Sequence, residues 1–252
     1  MSSTTWTPQE VRSEAKRYAG DAWRAVEAQH VASTMVLCDT LEEQAMLEVL
    51  VDEGKPRRPA AAARLHYLLY TPFRYRPSQH GSRFRGPNDP GVFYAADEVR
   101  TACAELGYWR WRHLADSPSL EAMPVKPQTV FRVRLAAPAV DLRRAPFAAA
   151  RARWSAPDDY APCQALARTA REAAVQAIRY ASVRDPKHAG CVALLDPAGF
   201  AKPEPIEQQT WLLSVARERV AWTRLNTLRS EMFEFAADWP GRRAATRTRR
   251  RR

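Results

Sequence analysis

Residues 81–105 constrain the fold most tightly, because their sequence, GSRFRGPNDPGVFYAADEVRTACAE, places a turn, a strand and a helix directly after one another. Gly, Pro and Asn crowd the segment GPNDPG, which predicts the turn. GVFYAA then alternates as a short strand does, and Asp97 is a favourable N-cap for a helix through EVRTACAELGYWRWR. A loop, a strand and a helix this close together can bring Arg83, Tyr94 and Glu105 to one pocket.

The rest of the chain predicts a mixture of helices and strands. Residues 8–53 carry apolar side chains at spacings of three and four, which indicates helix. The segment LHYLLY is predicted as a short helix or a strand, PQTVFRVRLAAPAVDL and CVALL as strands, and residues 162–178 as a helix. In residues 209–224, alternating tryptophan, leucine and valine favour a strand through Ala216 over a helix.

Together these patterns predict an α+β fold in a single mixed domain. A chain of 252 residues with 46% hydrophobic content can bury a large core, and neither an internal repeat nor a Gly/Ser-rich linker divides it. No apolar run is long enough to span a membrane, and the N-terminal sequence MSSTTWTPQEVRSEAKRY is too polar for a secretory signal. We therefore expect a soluble, cytoplasmic protein without membrane contact.

The cysteines and histidines do not predict a metal site. Cys38, Cys103, Cys163 and Cys191 form no CxxC pair, and the five histidines show no HExxH spacing. We expect the thiols to be small core side chains.

The positive charge is concentrated at the C-terminus. The chain carries a net charge of +11, but residues 241–252 hold seven arginines and no acidic residue, so the remainder carries only +4. Such a tail is predicted to be disordered; it is either a solvated end or a nonspecific contact for nucleic acid. The aromatic cluster Tyr108, Trp109 and Trp111 resembles a base-stacking surface, although packing against the core is the more common role of such residues.

Common enzyme motifs are absent, since the sequence contains no GxGxxG, GxxxxGK[ST] or GxSxG. A dispersed polar set remains. Arg83 follows a turn, Tyr94 ends a strand, Glu105 lies near the apolar face of its helix, and Ser182 precedes the strand CVALL.

Two blocks of this sequence resemble the RES-domain family, which is named for its Arg, Glu and Ser and comprises bacterial toxins paired with Xre-type antitoxins. The blocks are GSRF, GVFYAADE and CAE within residues 81–105, and AIRYASVRDPKHAGCVALL at residues 177–195. AWRAVEAQHVASTMVLCDTLEEQAMLE and LLYTPFRYRP are similar to longer members with an added helical N-terminal segment. The resemblance spans about residues 20–225.

The resemblance implies a fold related to that of ADP-ribosyltransferases and an enzyme that breaks the nicotinamide–ribose bond of NAD, as a glycohydrolase or a phosphorylase. The positions that match the NAD pocket of the family are Arg83, Tyr94, Glu105 and Ser182. Arg24 matches an earlier family arginine more loosely. Short members read GRW where this chain reads SRFRG, so Arg85 competes with Arg83 for the phosphate role.

The resemblance also implies partners and a domain plan. We expect an Xre-type helix-turn-helix antitoxin that covers the pocket, and self-association into a homo-oligomer. The expected plan is a helical N-terminal segment at 1–60, a RES-like catalytic core at 61–235 that is continuous with it, and a disordered arginine-rich tail at 241–252.

The chemistry of these residue types suits such a reaction. Cleaving the bond to a cationic nicotinamide generates an oxocarbenium-like ribose, which the carboxylate of Glu105 would stabilise. Arg83 would bind phosphate through charge-assisted hydrogen bonds, and Tyr94 would offer an aromatic face to the nicotinamide ring. The short hydroxyl of Ser182 would bind the amide or the ribose.

Two alternatives stay open. The same pocket would serve an ADP-ribosyltransferase that modifies a protein. The arginine tail and the aromatic cluster would instead suit a non-catalytic protein that binds nucleic acid.

Overall fold

The structure is a computed structural model. The residues that it describes are 6–28, 38–56, 59–75, 81–228 and 230–239. The arginine-rich tail predicted at 241–252 lies outside these residues.

An eight-stranded mixed sheet forms the centre of the described part of the chain. The strands are β1 (Lys16–Glu27), β2 (Phe93–Ala96), β3 (Ala122–Asp141), β4 (Ala177–Ala181), β5 (Gly190–Leu194), β6 (Glu207–Ala216), β7 (Arg219–Arg224) and β8 (Met232–Ala236). Their order is β1-β2-β5-β4-β3-β6-β7-β8, and β1 pairs with β3 as well. This additional pairing joins β1, β2, β5, β4 and β3 into a ring.

The described residues form six α-helices. They are α1 (Pro8–Ser13), α2 (Leu41–Glu53), α3 (Tyr67–Arg74), α4 (Val99–Ala115), α5 (Arg151–Trp154) and α6 (Ala161–Glu172). Short 3-10 helices lie at Ala60–Ala62, Phe147–Ala150 and Pro197–Gly199. The predicted α+β class is confirmed.

Hydrophobic side chains cover both faces of the sheet. Along β5, Cys191 and Ala193 belong to the cluster that includes α4 and α6, whereas Val192 and Leu194 belong to the cluster that includes α3. This alternation is the period of two that a strand buried on both faces requires. Each large side chain buried in these clusters contributes about 1.5–3 kcal/mol to folding.

Helix α4 approaches the sheet closely. A Cβ added to Gly107 would lie 2.9 Å from Cγ1 of Val220 on β7, so any larger residue here would require Val220 or the helix to move. The close approach fixes the depth of α4, and therefore of Glu105, which lies on the same helix.

The prediction of helix across residues 8–53 is wrong for its central part. Residues 16–27 form β1, which pairs along its whole length with β3, from Lys16 opposite Ala139 to Glu27 opposite Gln128. The backbone hydrogen bonds of β1 thus come from a strand more than 100 residues away, which local periodicity does not reveal. Among the described residues of the predicted segment, helices form at its two ends, as α1 and α2.

Most of the other predicted elements are confirmed, with changes at their ends. LHYLLY contributes to a helix, α3, and β2, β3, β5 and β6 overlap the segments predicted as strands. The helix predicted at 162–178 ends at Glu172, because Ala174 adopts a φ of 57° and Ala177 begins β4. Glu98, not Asp97, is the N-cap of α4, since the carboxylate of Asp97 pairs with Arg179.

The described residues contain no helix with the length and hydrophobicity that a membrane span requires. They also contain no group of three or more His, Cys, Asp or Glu side chains arranged to hold a metal ion.

Candidate active site

A cavity of about 360 Å³ lies between β1, β2, α4 and the segment that begins at Gly81. The predicted site residues that line it are Arg24, Arg83, Tyr94 and Glu105. Its volume is within the usual range of small-molecule sites. The loop, the strand and the helix of residues 81–105 therefore do converge on one cavity, as the sequence predicted.

Ser182, the remaining predicted residue, contacts Glu105 instead of lining this cavity. Its hydroxyl donates a hydrogen bond of 2.6 Å to Oε1 of Glu105. Ser182 is only 1% exposed and lies on the wall of a neighbouring cavity. Ser182 therefore contacts the Glu105 carboxyl without lining the cavity that Glu105 lines.

The carboxyl of Glu105 lies in an environment that disfavours its charge. Burial raises its pKa above the ordinary value, while the hydrogen bond from Ser182 and the positive charges of Arg83 and Arg184 act in the opposite direction. Asp185 adds a smaller upward influence on the same pKa. Ser182 and the two arginines thus favour the ionised form of Glu105, against the larger effect of burial.

The hydroxyl of Tyr94 holds the turn that carries Arg83. It accepts a hydrogen bond of 2.9 Å from the backbone N–H of Phe84 and lies 2.8 Å from Oγ of Ser82. Burial raises the pKa of Tyr94 to about 12, so the phenol is neutral at physiological pH. The aromatic ring, with its hydroxyl engaged by the turn, is the part of Tyr94 available to a ligand.

Arg83 is held in place by backbone carbonyl groups. Its Nη1 donates to the carbonyl oxygens of Trp154 and Ala156, each at 2.9 Å. Its guanidinium group lies 4.7 Å from the ring centroid of Tyr160. These contacts fix the cation at the cavity without neutralising it, because both acceptors are uncharged.

Arg85 does not lie on the cavity. Its Nη2 donates to the carbonyl of Tyr75 at 2.6 Å, and its Nε donates to that of Asp89 at 3.3 Å. Of the two arginines in SRFRG, Arg83 is therefore the one that lines the cavity.

Arg24 reaches the cavity from β1. Its Nη1 donates to the carbonyl oxygen of Tyr94 at 2.7 Å, and its guanidinium lies 4.9 Å from the ring centroid of Phe93. Burial lowers its pKa to about 10, and its buried Nε has no hydrogen-bond partner among the described residues. Arg24 is still charged at neutral pH. Because its guanidinium group is poorly solvated, it would bind an anion in the cavity favourably.

The sequence did not predict several other residues of the cavity wall. Arg184 lies 3.6 Å from the ring centroid of Tyr108, and its Nη2 donates to the carbonyl of Pro157 at 2.6 Å and to the hydroxyl of Tyr160 at 3.1 Å. Tyr180 is on β4 and also lines the cavity. Tyr180 and Arg184 flank Ser182 in the block RYASVR, so their closeness to Ser182 in the sequence could have predicted that they line the cavity. Tyr160 lies outside both blocks that resemble the family, and no sequence pattern pointed to it.

The aromatic cluster divides between core and cavity. Tyr108 and Trp111 are buried, and their ring centroids lie 5.7 and 5.5 Å from that of Trp239. Trp109 is 49% exposed and lines the cavity. Core packing thus accounts for two of the three aromatic residues.

The charges on the cavity wall are unequal. In the part of the chain that the structure describes, three guanidinium groups, those of Arg24, Arg83 and Arg184, line it with one carboxyl group, that of Glu105. The aromatic residues Trp109, Tyr160 and Tyr180 line it as well. Such a wall can bind an anion with planar rings and place a carboxylate beside a centre that becomes positive.

A family model described as the RES domain matches residues 55–216. Arg83, Tyr94, Glu105 and Ser182 lie within the matched residues, and Arg24 precedes them. Among solved structures, a chain in the crystal structure of the M. tuberculosis MbcT–MbcA toxin–antitoxin complex is similar, with 12% sequence identity and a TM-score of 0.48. That match covers 80% of this chain and 89% of the other. No curated protein matches the sequence.

Proposed function

The chain belongs to the RES-domain family, and from that premise we propose that it is the toxin of a toxin–antitoxin pair that degrades NAD by cleaving the nicotinamide–ribose bond. The observation that carries the proposal is the Glu105 carboxyl, which accepts a hydrogen bond of 2.6 Å from Ser182. The other charged groups that the described residues place on the cavity wall are three arginines. The catalytic unit that we propose is the core at 61–235 together with β1, which contributes Arg24.

The character of the cavity wall supports NAD as the substrate. NAD carries two phosphates, which suit Arg24, Arg83 and Arg184 as charge-assisted hydrogen-bond donors. It also carries two planar ring systems, which suit the aromatic residues of the wall. The nicotinamide ring is cationic before cleavage, and the faces of tyrosine and tryptophan favour a cation.

Glu105 supplies negative charge where the reaction develops positive charge. When the bond between C1′ of the ribose and the nicotinamide nitrogen breaks, its electron pair stays on the nitrogen and nicotinamide leaves as a neutral molecule. The ribose then bears the positive charge, which the ionised carboxylate of Glu105 stabilises. Attack by water yields ADP-ribose and a proton, whereas attack by phosphate yields a phosphorylated ADP-ribose.

The arginines and Tyr94 act by positioning. Arg83 is fixed by two carbonyl groups, and the turn that bears it is fixed by the hydroxyl of Tyr94. A cation held in advance loses little freedom when phosphate binds, which favours binding of the substrate in one orientation.

An antitoxin partner follows from the same premise. Its proposed type is an Xre-like helix-turn-helix protein that covers the cavity while the pair is intact. Expression of this chain alone in bacteria is then expected to arrest growth, and co-expression of the cognate antitoxin to restore it. Growth arrest that persists when Glu105 is replaced by Gln would contradict an NAD-based toxicity.

The direct test is product analysis. Purified protein is incubated with NAD in the presence and absence of phosphate, and nicotinamide and the ADP-ribose product are separated and identified. We expect nicotinamide release together with free or phosphorylated ADP-ribose. ADP-ribose found only on protein would favour the transferase alternative, and no nicotinamide release with any acceptor would overturn both enzymatic functions.

A further inference from the structure

The turn between β4 and β5, residues 182–189, is hydrogen-bonded to α4 through the buried carboxylate of Asp185. Asp185 is fully buried, at 0% exposure. Its Oδ2 accepts a hydrogen bond of 2.7 Å from Oγ1 of Thr101, and its Oδ1 accepts one from Nη1 of Arg100. A buried carboxylate with a charged and a neutral donor on the same helix fixes the turn against that helix.

The same turn determines the direction of the Ser182 hydroxyl. The backbone N–H groups of Arg184 and Asp185 both donate to Oγ of Ser182, at 3.1 and 2.9 Å. A serine hydroxyl has two acceptor positions and one donor hydrogen. With both acceptor positions filled, the hydrogen is left for Oε1 of Glu105, at 2.6 Å.

Two of the hydrogen bonds between the turn and α4 run side by side. Thr101 and Glu105 are four residues apart, so they lie one above the other on the same face of the helix. Asp185 binds Thr101, and Ser182 binds Glu105. A shift of Asp185 along α4 would therefore move Ser182 relative to Glu105 by a similar distance.

We propose that Asp185 is a positioning residue, which through Thr101 and Arg100 holds the Ser182 hydroxyl against the carboxylate of Glu105. This inference deepens the proposed function and rests on it for the role of Glu105 in turnover. The charged side chains that shift the pKa of Glu105 are Arg83 and Arg184, which lower it, and Asp185 itself, which raises it.

The main test variant is Thr101→Val, which keeps the shape of the side chain and removes its hydrogen bond to Asp185. Two readouts are needed: the steady-state constants for NAD, and the titration of the Glu105 carboxyl followed by NMR in protein labelled with ¹³C at glutamate. We expect kcat to fall by about tenfold with little change in KM, and the pKa of Glu105 to rise, which is also the direction that we expect for Ser182→Ala. Thr101→Ser, which restores the hydroxyl, is expected to recover both values.

A double variant separates positioning from general stability. In a Ser182→Ala background, Thr101→Val should have almost no further effect on kcat or on the titration of Glu105, because the contact that it supports is already absent. Additive effects would overturn the inference. A variant with a lower melting temperature but unchanged kcat and unchanged Glu105 titration would overturn it as well.

The inference and the proposed function fail differently. If wild type releases no nicotinamide, the proposed function fails, while the NMR titration still tests whether Thr101 and Asp185 act on Glu105 through Ser182. If Thr101→Val does not fold, Arg100→Gln tests the same contact at a side chain that is 22% exposed, with the same expected directions.

Discussion

Arg24 on β1 donates a hydrogen bond of 2.7 Å to the backbone carbonyl of Tyr94 on β2. The two strands meet at a single register position, Trp23 opposite Ala96. Residues 55–216 match the family model, and β1 precedes them. A strand outside the matched residues thus forms one wall of the candidate active site.

We expect Arg24→Met to weaken NAD binding without destabilising the fold. Arg24 is a partly desolvated cation whose Nε has no partner among the described residues, so its charge favours an anionic ligand and contributes little to folding. KM for NAD should rise by about tenfold or more, with an equal or higher melting temperature. Arg17→Met, at an exposed position of the same strand, is the control. Unchanged KM with a lower melting temperature would show a structural role instead.

Glu105→Gln should stabilise the protein at neutral pH but not at acidic pH. Burial raises the pKa of Glu105, so the folded state binds its proton more tightly than the unfolded state does. Wild type therefore loses stability relative to the Gln variant as pH rises through the folded-state pKa. Urea unfolding at about pH 4 and about pH 8 measures the difference. A difference in unfolding free energy that does not change with pH would contradict the assigned environment.

Tyr94→Phe should loosen the turn that carries Arg83 while keeping the ring at the cavity. The substitution removes the hydroxyl that accepts from the N–H of Phe84 and contacts Ser82, and the unpaired N–H costs about 1–3 kcal/mol of unfolding free energy. We expect a fall in kcat/KM of about tenfold together with that loss. Tyr67→Phe, at an exposed tyrosine of α3, should change neither quantity. Wild-type kcat/KM in Tyr94→Phe would mean that the hydroxyl does not position Arg83 for catalysis.

Deleting residues 241–252 should leave nicotinamide release unchanged and remove most nonspecific binding to nucleic acid. The segment holds seven arginines, and the rest of the chain carries a net charge of only +4. The salt dependence of binding to a single-stranded oligonucleotide, compared between the full-length and the shortened chain, measures how many phosphates the tail neutralises. A chain of full length with these arginines replaced by glutamine controls for length. Full nucleic-acid binding by the deletion variant would favour the non-catalytic alternative.

Sequence patterns predicted the part of the site that residues 81–105 form, but they did not predict the contact between residues that are far apart in the sequence. Arg83, Tyr94 and Glu105 lie on consecutive elements, so turn, strand and helix patterns were sufficient to bring them together. The contact between Ser182 and Glu105 joins residues 77 positions apart, and only the family resemblance connected them. That resemblance implied a contact of Ser182 with NAD, which stays a prediction, whereas the structure shows its hydroxyl bonded to Glu105.

The errors have a common physical cause. β1 was predicted as helix because its partner, β3, lies more than 100 residues away and strand propensity depends on the partner. Arg184 and Tyr160 reach the cavity through loops whose course depends on packing, such as the hydrogen bond from Nε1 of Trp239 to the carbonyl of Arg184. The alternation of β6 needed no partner to be recognised, and that strand was predicted correctly.

The most direct test of the central claim compares nicotinamide release by wild type, Glu105→Gln and Glu98→Gln. Both glutamates belong to the α4 region, but Glu98 is an exposed N-cap residue, so its substitution controls for the loss of one negative charge. We predict release by wild type and Glu98→Gln at similar rates, and a rate lower by at least about 100-fold for Glu105→Gln. Release by Glu105→Gln at the wild-type rate would contradict the account.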